Sequence, residues 1–340
     1  MHAAFFEDIN YIHLGTERLP KIDKNEILLK VNACGICGTD FHIYEGKAPA
    51  KHHVILGHEY AGEVVEVGSD IHTLKIGDKV AVNPNINCGY CQYCKAGKIN
   101  LCENLKALGV TQNGGLAEYS IVPISQAYII PQNFLFQTAA FSEPLSCCVH
   151  GINQAEIKLN DNVAVVGCGT IGLMMIQLAF LKGASNVFAL DISNEKLIIA
   201  SKLNASRIFN PKDENALKEI VEITSGGVDV AIECVGSSKA AKLALSLVKK
   251  GGNVLFFGLA SADDYIKLFL QSYFHKEINL KTSLLNPFTF QTAVDLLTSS
   301  KIKVDLLNPT KMNLTDNDIY KIFKTKKSDD VIKYMIFPNN

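Results

Sequence analysis

The stretch VAVVGCGTIG, Val163–Gly172, decides the fold. Four apolar residues run into Gly167, Gly169 and Gly172, spaced G-x-G-x-x-G, and on into the helix-like TIGLMMIQLAFLKG. The first glycine permits a tight turn, the second lets backbone approach a pyrophosphate, and the third lets helix and strand pack closely. A helix starting at Thr170 and Ile171 then offers unpaired N–H groups and the positive end of its dipole to that anion. The next apolar run, NVFALD, ends in Asp191, nineteen residues beyond Gly172. An acid there accepts hydrogen bonds from adenosine ribose hydroxyls and repels a 2′-phosphate, so the pattern predicts a dinucleotide-binding unit that takes NAD rather than NADP. Lys196 either lines the adenosine site or is a solvated helix residue. Val235, near the end of DVAIECVG, is placed with the cofactor residues.

Working outward, the rhythm after Gly151 is strand, helix, strand. The expected strands are VAVVG, NVFALD, RIFN, DVAIECVG and NVLFFG, with helices starting near Ile171, Asn194, Glu214 and Ser238. That alternation implies parallel βαβ units. Upstream, from Glu26 to about Val122, short runs such as EILLKV, YAGEVVEVG, KVAV and LAEYSIV are broken by turns, which reads as an all-β domain with long loops. The tail from Lys276 carries a further helix in NPFTFQTAVDLLTSSKI and closes on the strand-like VIKYMIF. The class is therefore α/β, in a chain of 340 residues long enough for two domains.

Composition excludes several roles. Charged residues are 20% of the chain and the net charge is −1, so no strong field attracts nucleic acid or an acidic membrane surface. The apolar run GLMMIQLAFL stops after ten residues at Lys182, short of the ~20 a membrane span needs. The opening MHAAFFEDINYIH has neither the basic nor the apolar region of a signal peptide, so a cytoplasmic protein with reduced thiols is expected.

Reduced thiols give CGYCQYC its meaning. Cys88, Cys91, Cys94 and Cys102 follow C-x2-C-x2-C-x7-C, and four thiolates in one loop suit tetrahedral zinc. A second set lies in CGICGTDFH and LGHEYAGEV, which offer Cys37, His58 and Glu59, with Glu143 further on in FSEPLSCCVHG. One thiolate, one imidazole and a carboxylate make a zinc set with a position left for water or substrate. The loop EGKAPAKHH brings Lys47, Lys51, His52 and His53 close in sequence to this set. It reads either as a phosphate-binding loop or as a solvated one.

With these motifs in this order, the chain resembles the zinc-dependent medium-chain dehydrogenase/reductase family, and more narrowly its polyol, sorbitol dehydrogenase-like branch. GICGTD, GHEYAGEVVEVG, the four-cysteine loop, EPLSC, VVGCGTIG and NPFTF carry the likeness over nearly the full chain. The resemblance implies a GroES-like β-rich catalytic domain over residues 1–150, a Rossmann NAD-binding domain over 151–275, and a C-terminal segment, 276–340, that returns to the catalytic domain. It implies two Zn2+ ions per subunit, a structural one on Cys88, Cys91, Cys94 and Cys102 and a catalytic one on Cys37 and His58. Glu59 matches an acid that ligates in the polyol branch and stands behind the ligands elsewhere. Glu143 stands where simple alcohol dehydrogenases place a cysteine, and joins Cys37, His58 and Glu59 as a zinc ligand, either directly or through water. Cys147, one helical turn from Glu143, reads either as a substitute ligand or, like Cys148, as a buried thiol, and Cys34 reads as packed.

Thr39 matches the hydroxyl that takes the substrate proton, Asp40 the carboxylate that orients His58, and His42 either a relay to solvent or a plain surface histidine. The implied reaction moves hydride from a secondary hydroxyl of a polyol or polyol phosphate to NAD, giving the ketose. L-Threonine and simple alcohols are the alternative substrates, and a non-enzymatic zinc and nucleotide scaffold is the reading from a different class. The resemblance also implies a homotetramer or homodimer, with VLFFGL near the contact edge.

Overall fold

The computed structural model describes residues 1–324 and 331–339. It divides into two compact units, one formed by Met1–Ser146, Pro287–Lys301 and Asn308–Asn340, the other by Cys147–Asn286 and Ile302–Leu307.

The first unit is built around the strand Glu26–Ile36, whose EILLKVNACGI is buried along most of its length. A strand that covered needs partners on both edges. It pairs antiparallel with Glu59–Val67 on one side, and on the other with Tyr119–Pro123 near its start and Tyr334–Phe337 near its end. Ile27, Leu29, Val31, Tyr60, Val64, Val122 and Ile336 fill the core. Register is what positions the site. Gly35 pairs with Glu59, so the chain leaving the central strand at Cys37 emerges beside His58 and Glu59. Tyr334 pairs with Ile36, which sets Lys333 across from the same point. A separate sheet joins His2–Asp8 to Tyr11–Thr16 and Val54–Ile55.

The second unit is a six-stranded parallel sheet in the order Arg207–Phe209, Asn186–Leu190, Asn162–Val166, Val228–Glu233, Val248–Phe256, Asn279–Thr282. The chain runs outward from Asn162–Val166 in one direction, then returns to lay Val228–Glu233 on its other side. That reversal opens a crevice at the carboxyl ends of these two strands, where open α/β sheets bind ligands.

The sheet extends past residue 275, where the sequence reading has the tail leaving. Asn279–Thr282 is an edge strand, three of its four residues exposed, so NLKT carries no alternation to betray it. Ile302–Leu307 also belongs to this unit, while the helix Phe290–Thr298, the strand Thr310–Asn313 and the helix Asp316–Lys324 belong to the first. No helix among the described residues is long and apolar enough to cross a membrane.

Candidate active site and metal centres

The four-cysteine loop gathers four sulfurs, each with a hydrogen-bond donor. The sulfurs of Cys88, Cys91, Cys94 and Cys102 lie within 4.8 Å of one another. Each accepts an N–H: Cys88 from the amide of Cys91 (3.4 Å), Cys91 from that of Cys94 (3.5 Å), Cys102 from that of Cys88 (3.3 Å), and Cys94 from the side chain of Asn87 (3.7 Å). Such donors stabilise charged sulfur, which is what a closed zinc site requires. Burial pushes the Cys88 thiol up, but the amides of Tyr90 and Cys91 outweigh it and bring it down to about 6. Burial pushes Cys94 up to about 11.

A pH dependence follows. At neutral pH zinc uptake by the metal-free loop must expel at least the Cys94 proton, and below about 6 the Cys88 proton in addition. Zinc affinity is therefore expected to fall on acidification, and more steeply below about 6. A zinc titration in weak buffer, read as protons released per metal, checks this; a count that does not rise with acid would contradict it.

The second set forms where strand register brought it. Cys37, His58 and Glu59 place one ligand atom each within 4.8 Å of the others, and Glu143, although buried, is outside that set. Cys37 caps the helix Gly38–Tyr44, and the fully buried Asp40 in its first turn accepts from the Cys37 amide at 2.7 Å. The other Asp40 oxygen faces His58 Nδ1 at 3.4 Å, both atoms buried with no other partner among the described residues. With Nδ1 turned to Asp40, Nε2 is left for a metal. Burial opposes charge on His58, yet Asp40 and Cys37 outweigh it and raise its pKa well above the ordinary value. Thr39 Oγ1 lies 3.6 Å from the Cys37 sulfur, and His42 is half-buried in the last turn of the same helix.

One member of this cluster is absent from the sequence reading. Lys333 is 4% exposed, and its Nζ donates to Glu59 Oε2 in a buried ion pair. Burial alone would drive the ammonium toward neutrality, but Glu59, Cys37 and Asp40 reverse this and raise its pKa. A Cβ on Gly35 would meet both Glu59 Oε2 and Lys333 Cε, so the glycine of GICGTD leaves room for this pair. The signal in the sequence is a lysine inside an otherwise apolar strand-like run, VIKYMIF. Cys34 is packed as expected: it is wholly buried, and burial, with Asp40 and Glu59, raises its thiol pKa well above normal.

In the second unit the glycine turn has the geometry its spacing demands. Gly167 adopts φ 97°, and a Cβ on Gly172 would overlap the Gly167 carbonyl. Gly169 caps the helix Thr170–Leu181 without a side-chain bond, and a Cβ there would meet nothing within 4 Å. An uncapped helix start facing open space fits a pyrophosphate. Asp191 does more than the sequence reading assigns it: its carboxylate accepts from the amide of Cys168 at 2.6 Å and from that of Ser193 at 2.9 Å, tying the strand end to the turn. Lys196 is half-buried in the next helix, and its charge reaches Cys168, opposing the upward push of burial and Asp191. Val235 lies where a Cβ on Gly167 would strike its Cγ2. Glu233, also unread in the sequence, is buried beneath that turn.

The basic loop is largely spoken for. Lys47 pairs with Glu45 at 2.6 Å, His53 with Glu7 at 2.7 Å, and His52 faces Glu7 at 3.9 Å. Among the described residues, only Lys51 of the four is without a carboxylate partner.

Residues 23–132 match the alcohol dehydrogenase GroES-like domain, and residues 170–299 match the zinc-binding dehydrogenase family. Across the whole chain the sequence is 32% identical to the sorbitol dehydrogenase of Bacillus subtilis (strain 168), covering 98% of that protein. The chain belongs to the zinc-binding dehydrogenases. This dehydrogenase is also 34% identical to the D-arabitol-phosphate dehydrogenase of Enterococcus avium, over 92% of its own length and 90% of the relative's. A Sinorhizobium meliloti 1021 protein solved bound to NADP superposes with a TM-score of 0.95 at 35% identity, over 99% of each chain. In the dehydrogenase described here, the GroES-like match contains Cys37, His58, Glu59 and the four cysteines, and the second match contains Thr170, Gly172 and Asp191.

Proposed function

We propose that this dehydrogenase oxidises a secondary hydroxyl of a sugar alcohol to the ketose with NAD, at a zinc held by Cys37, His58 and Glu59. The observation that carries the reading is the Cys37–His58–Glu59 set, with His58 and Glu59 buried and Cys37 half-buried, Asp40 behind it and Thr39 beside it. When bound, zinc supplies a Lewis acid that lowers the pKa of the substrate hydroxyl, and NAD supplies the hydride acceptor. Thr39 takes the hydroxyl proton and passes it toward solvent through His42. Asp40 fixes the His58 tautomer and ring orientation. Lys333 balances the charge of Glu59, so two anionic ligands do not stand unopposed. Glu143, outside the tight set, serves as an acceptor for a neighbouring substrate hydroxyl or for a bridging water. Asp191 favours NAD, since a 2′-phosphate would meet its carboxylate.

The family likeness to polyol dehydrogenases supports the substrate class, and a loop whose Lys47, His52 and His53 already face Glu45 and Glu7 supports an unphosphorylated substrate over its phosphate. Lys51→Ala is accordingly expected to leave kcat/KM for free polyols unchanged within about twofold, as for a solvated surface lysine. A selective loss on polyol phosphates would show that the loop binds phosphate. NADH formation over sorbitol, xylitol, arabitol, their phosphates, L-threonine and primary alcohols tests the reading as a whole. Turnover of L-threonine alone would replace it.

The reading includes a cytoplasmic homo-oligomer. The exposed edge strand Asn279–Thr282, with Phe269, Leu270 and Phe274 each more than three-quarters exposed, supports association, and light scattering on the purified protein measures its order.

A further inference from the structure

The sheet of His2–Asp8, Tyr11–Thr16 and Val54–Ile55 carries a third gathering of metal-binding side chains, none of which belongs to either zinc set. Its centre is Glu7. The first two strands pair Phe6 with Ile12 and then Asp8 with Tyr11, which leaves Glu7 at a bulge with no residue opposite. A bulge re-aims a side chain, and here the carboxylate is turned toward three imidazoles. His53 Nδ1 is hydrogen-bonded to Glu7 Oε1 at 2.7 Å, His13 Nδ1 faces the same oxygen at 3.8 Å, and His52 Nδ1 faces Oε2 at 3.9 Å.

Two features distinguish this cluster from scattered surface histidines. His13 Nδ1 is buried and has no hydrogen-bond partner among the described residues, so a ring nitrogen is closed off from water and still unsatisfied. Burying a polar atom in that way is costly unless something is bound to it. His53 adopts φ 52°, a left-handed backbone that residues other than glycine seldom take. In that conformation its ring stacks on Phe5, at 5.1 Å between centroids, and His13 stacks on the same ring at 5.7 Å. Phe5 thus supports both imidazoles beside Glu7.

Imidazole and carboxylate together suit divalent transition metals such as Ni2+ and Zn2+. Ligand atoms of one such ion, each about 2.1 Å from it, stand about 3–3.5 Å apart, and the three distances from Glu7 bracket that spacing. Unlike the two zinc sets, these atoms are not all within 4.8 Å of one another, so closing on an ion takes ring rotations. His52 and His53, with side chains 71% and 64% exposed, allow them. We propose that Glu7, His13, His52 and His53 form a site for an exchangeable divalent transition metal, distinct from the two resident zinc centres. An ion there fastens His2–Asp8 and Tyr11–Thr16 to the segment that enters Val54–Ile55 and leads on to His58. The proposal does not depend on the substrate or cofactor readings.

The test is a calorimetric titration of Ni2+ into enzyme already loaded with zinc, for the wild type and for Glu7→Gln, His13→Ala and His53→Ala. The wild type is expected to take up one Ni2+ per chain with its zinc content unchanged, and its thermal midpoint to rise as the ion binds. Each substitution removes a ligand and is expected to weaken Ni2+ binding by at least about tenfold, the loss that removing even an outer partner of a ligand brings. Zinc content of the variants is the control for folding. If His13→Ala loses zinc, Glu7→Gln, which keeps the size of the side chain, decides the matter. An unchanged affinity in Glu7→Gln and His13→Ala would mean that the adjacent, exposed His52 and His53 bind Ni2+ alone, and would overturn the proposal. So would a wild-type enzyme that takes up no Ni2+, or takes it up only by releasing zinc.

Discussion

Replacing Lys333 by methionine is expected to lower stability by about 3–5 kcal/mol, because it leaves a buried carboxylate without its partner. Glu59 is 1% exposed and its pair with Lys333 is closed to water, so no solvent is available to take over the lost interaction. Methionine fills much the same volume without charge, which separates the electrostatic loss from a cavity. Zinc can itself oppose the Glu59 charge, so the loss is expected to be larger after chelation than in the loaded enzyme. Adding Glu59→Gln to Lys333→Met removes the stranded charge and is expected to recover a substantial part of the stability. Urea unfolding of the single and double variants, with and without zinc, reads all four states. A Lys333→Met midpoint equal to wild type in the chelated protein would contradict the account.

The second large effect belongs to Asp40. Asp40→Ala removes the acceptor for the Cys37 amide and the carboxylate facing His58 Nδ1 in one change. Both ligands keep their chemistry but lose their orientation, and groups in this position typically contribute 10–100-fold to metal affinity or activity. The expected result is a fall of about that size in kcat/KM, accompanied by weaker retention of one zinc while the four-cysteine loop keeps the other. Asp40→Asn retains an acceptor for the Cys37 amide and is expected to fall between the two. Metal analysis alongside steady-state kinetics makes the comparison. Unchanged activity in Asp40→Ala would mean that Asp40 serves the helix start alone.

Local signals in the sequence carried most of the site. The spacing of Gly167, Gly169 and Gly172 is a demand of one turn, and the cysteines from Cys88 to Cys102 share one loop, so each is complete within a short window. Cys37, Thr39 and Asp40 lie on one helix turn, and a single strand pairing, Gly35 with Glu59, brings them to His58. Lys333 was not legible in the same way, because it is 274 residues from Glu59 and depends on the register of the last strand. Glu233 was hidden for a different reason. An acid at a strand end reads as solvated, and only the fold of the turn after it shows that its partners are backbone amides. The edge strand Asn279–Thr282 lacked the periodic burial from which strands are read.

The most direct test of the central claim is NADH formation from a sugar alcohol by enzyme stripped of metal with a chelator and then titrated with zinc. The account predicts that turnover disappears on chelation and returns with zinc, in a chain that binds two ions. Turnover that survives complete removal of zinc would contradict it.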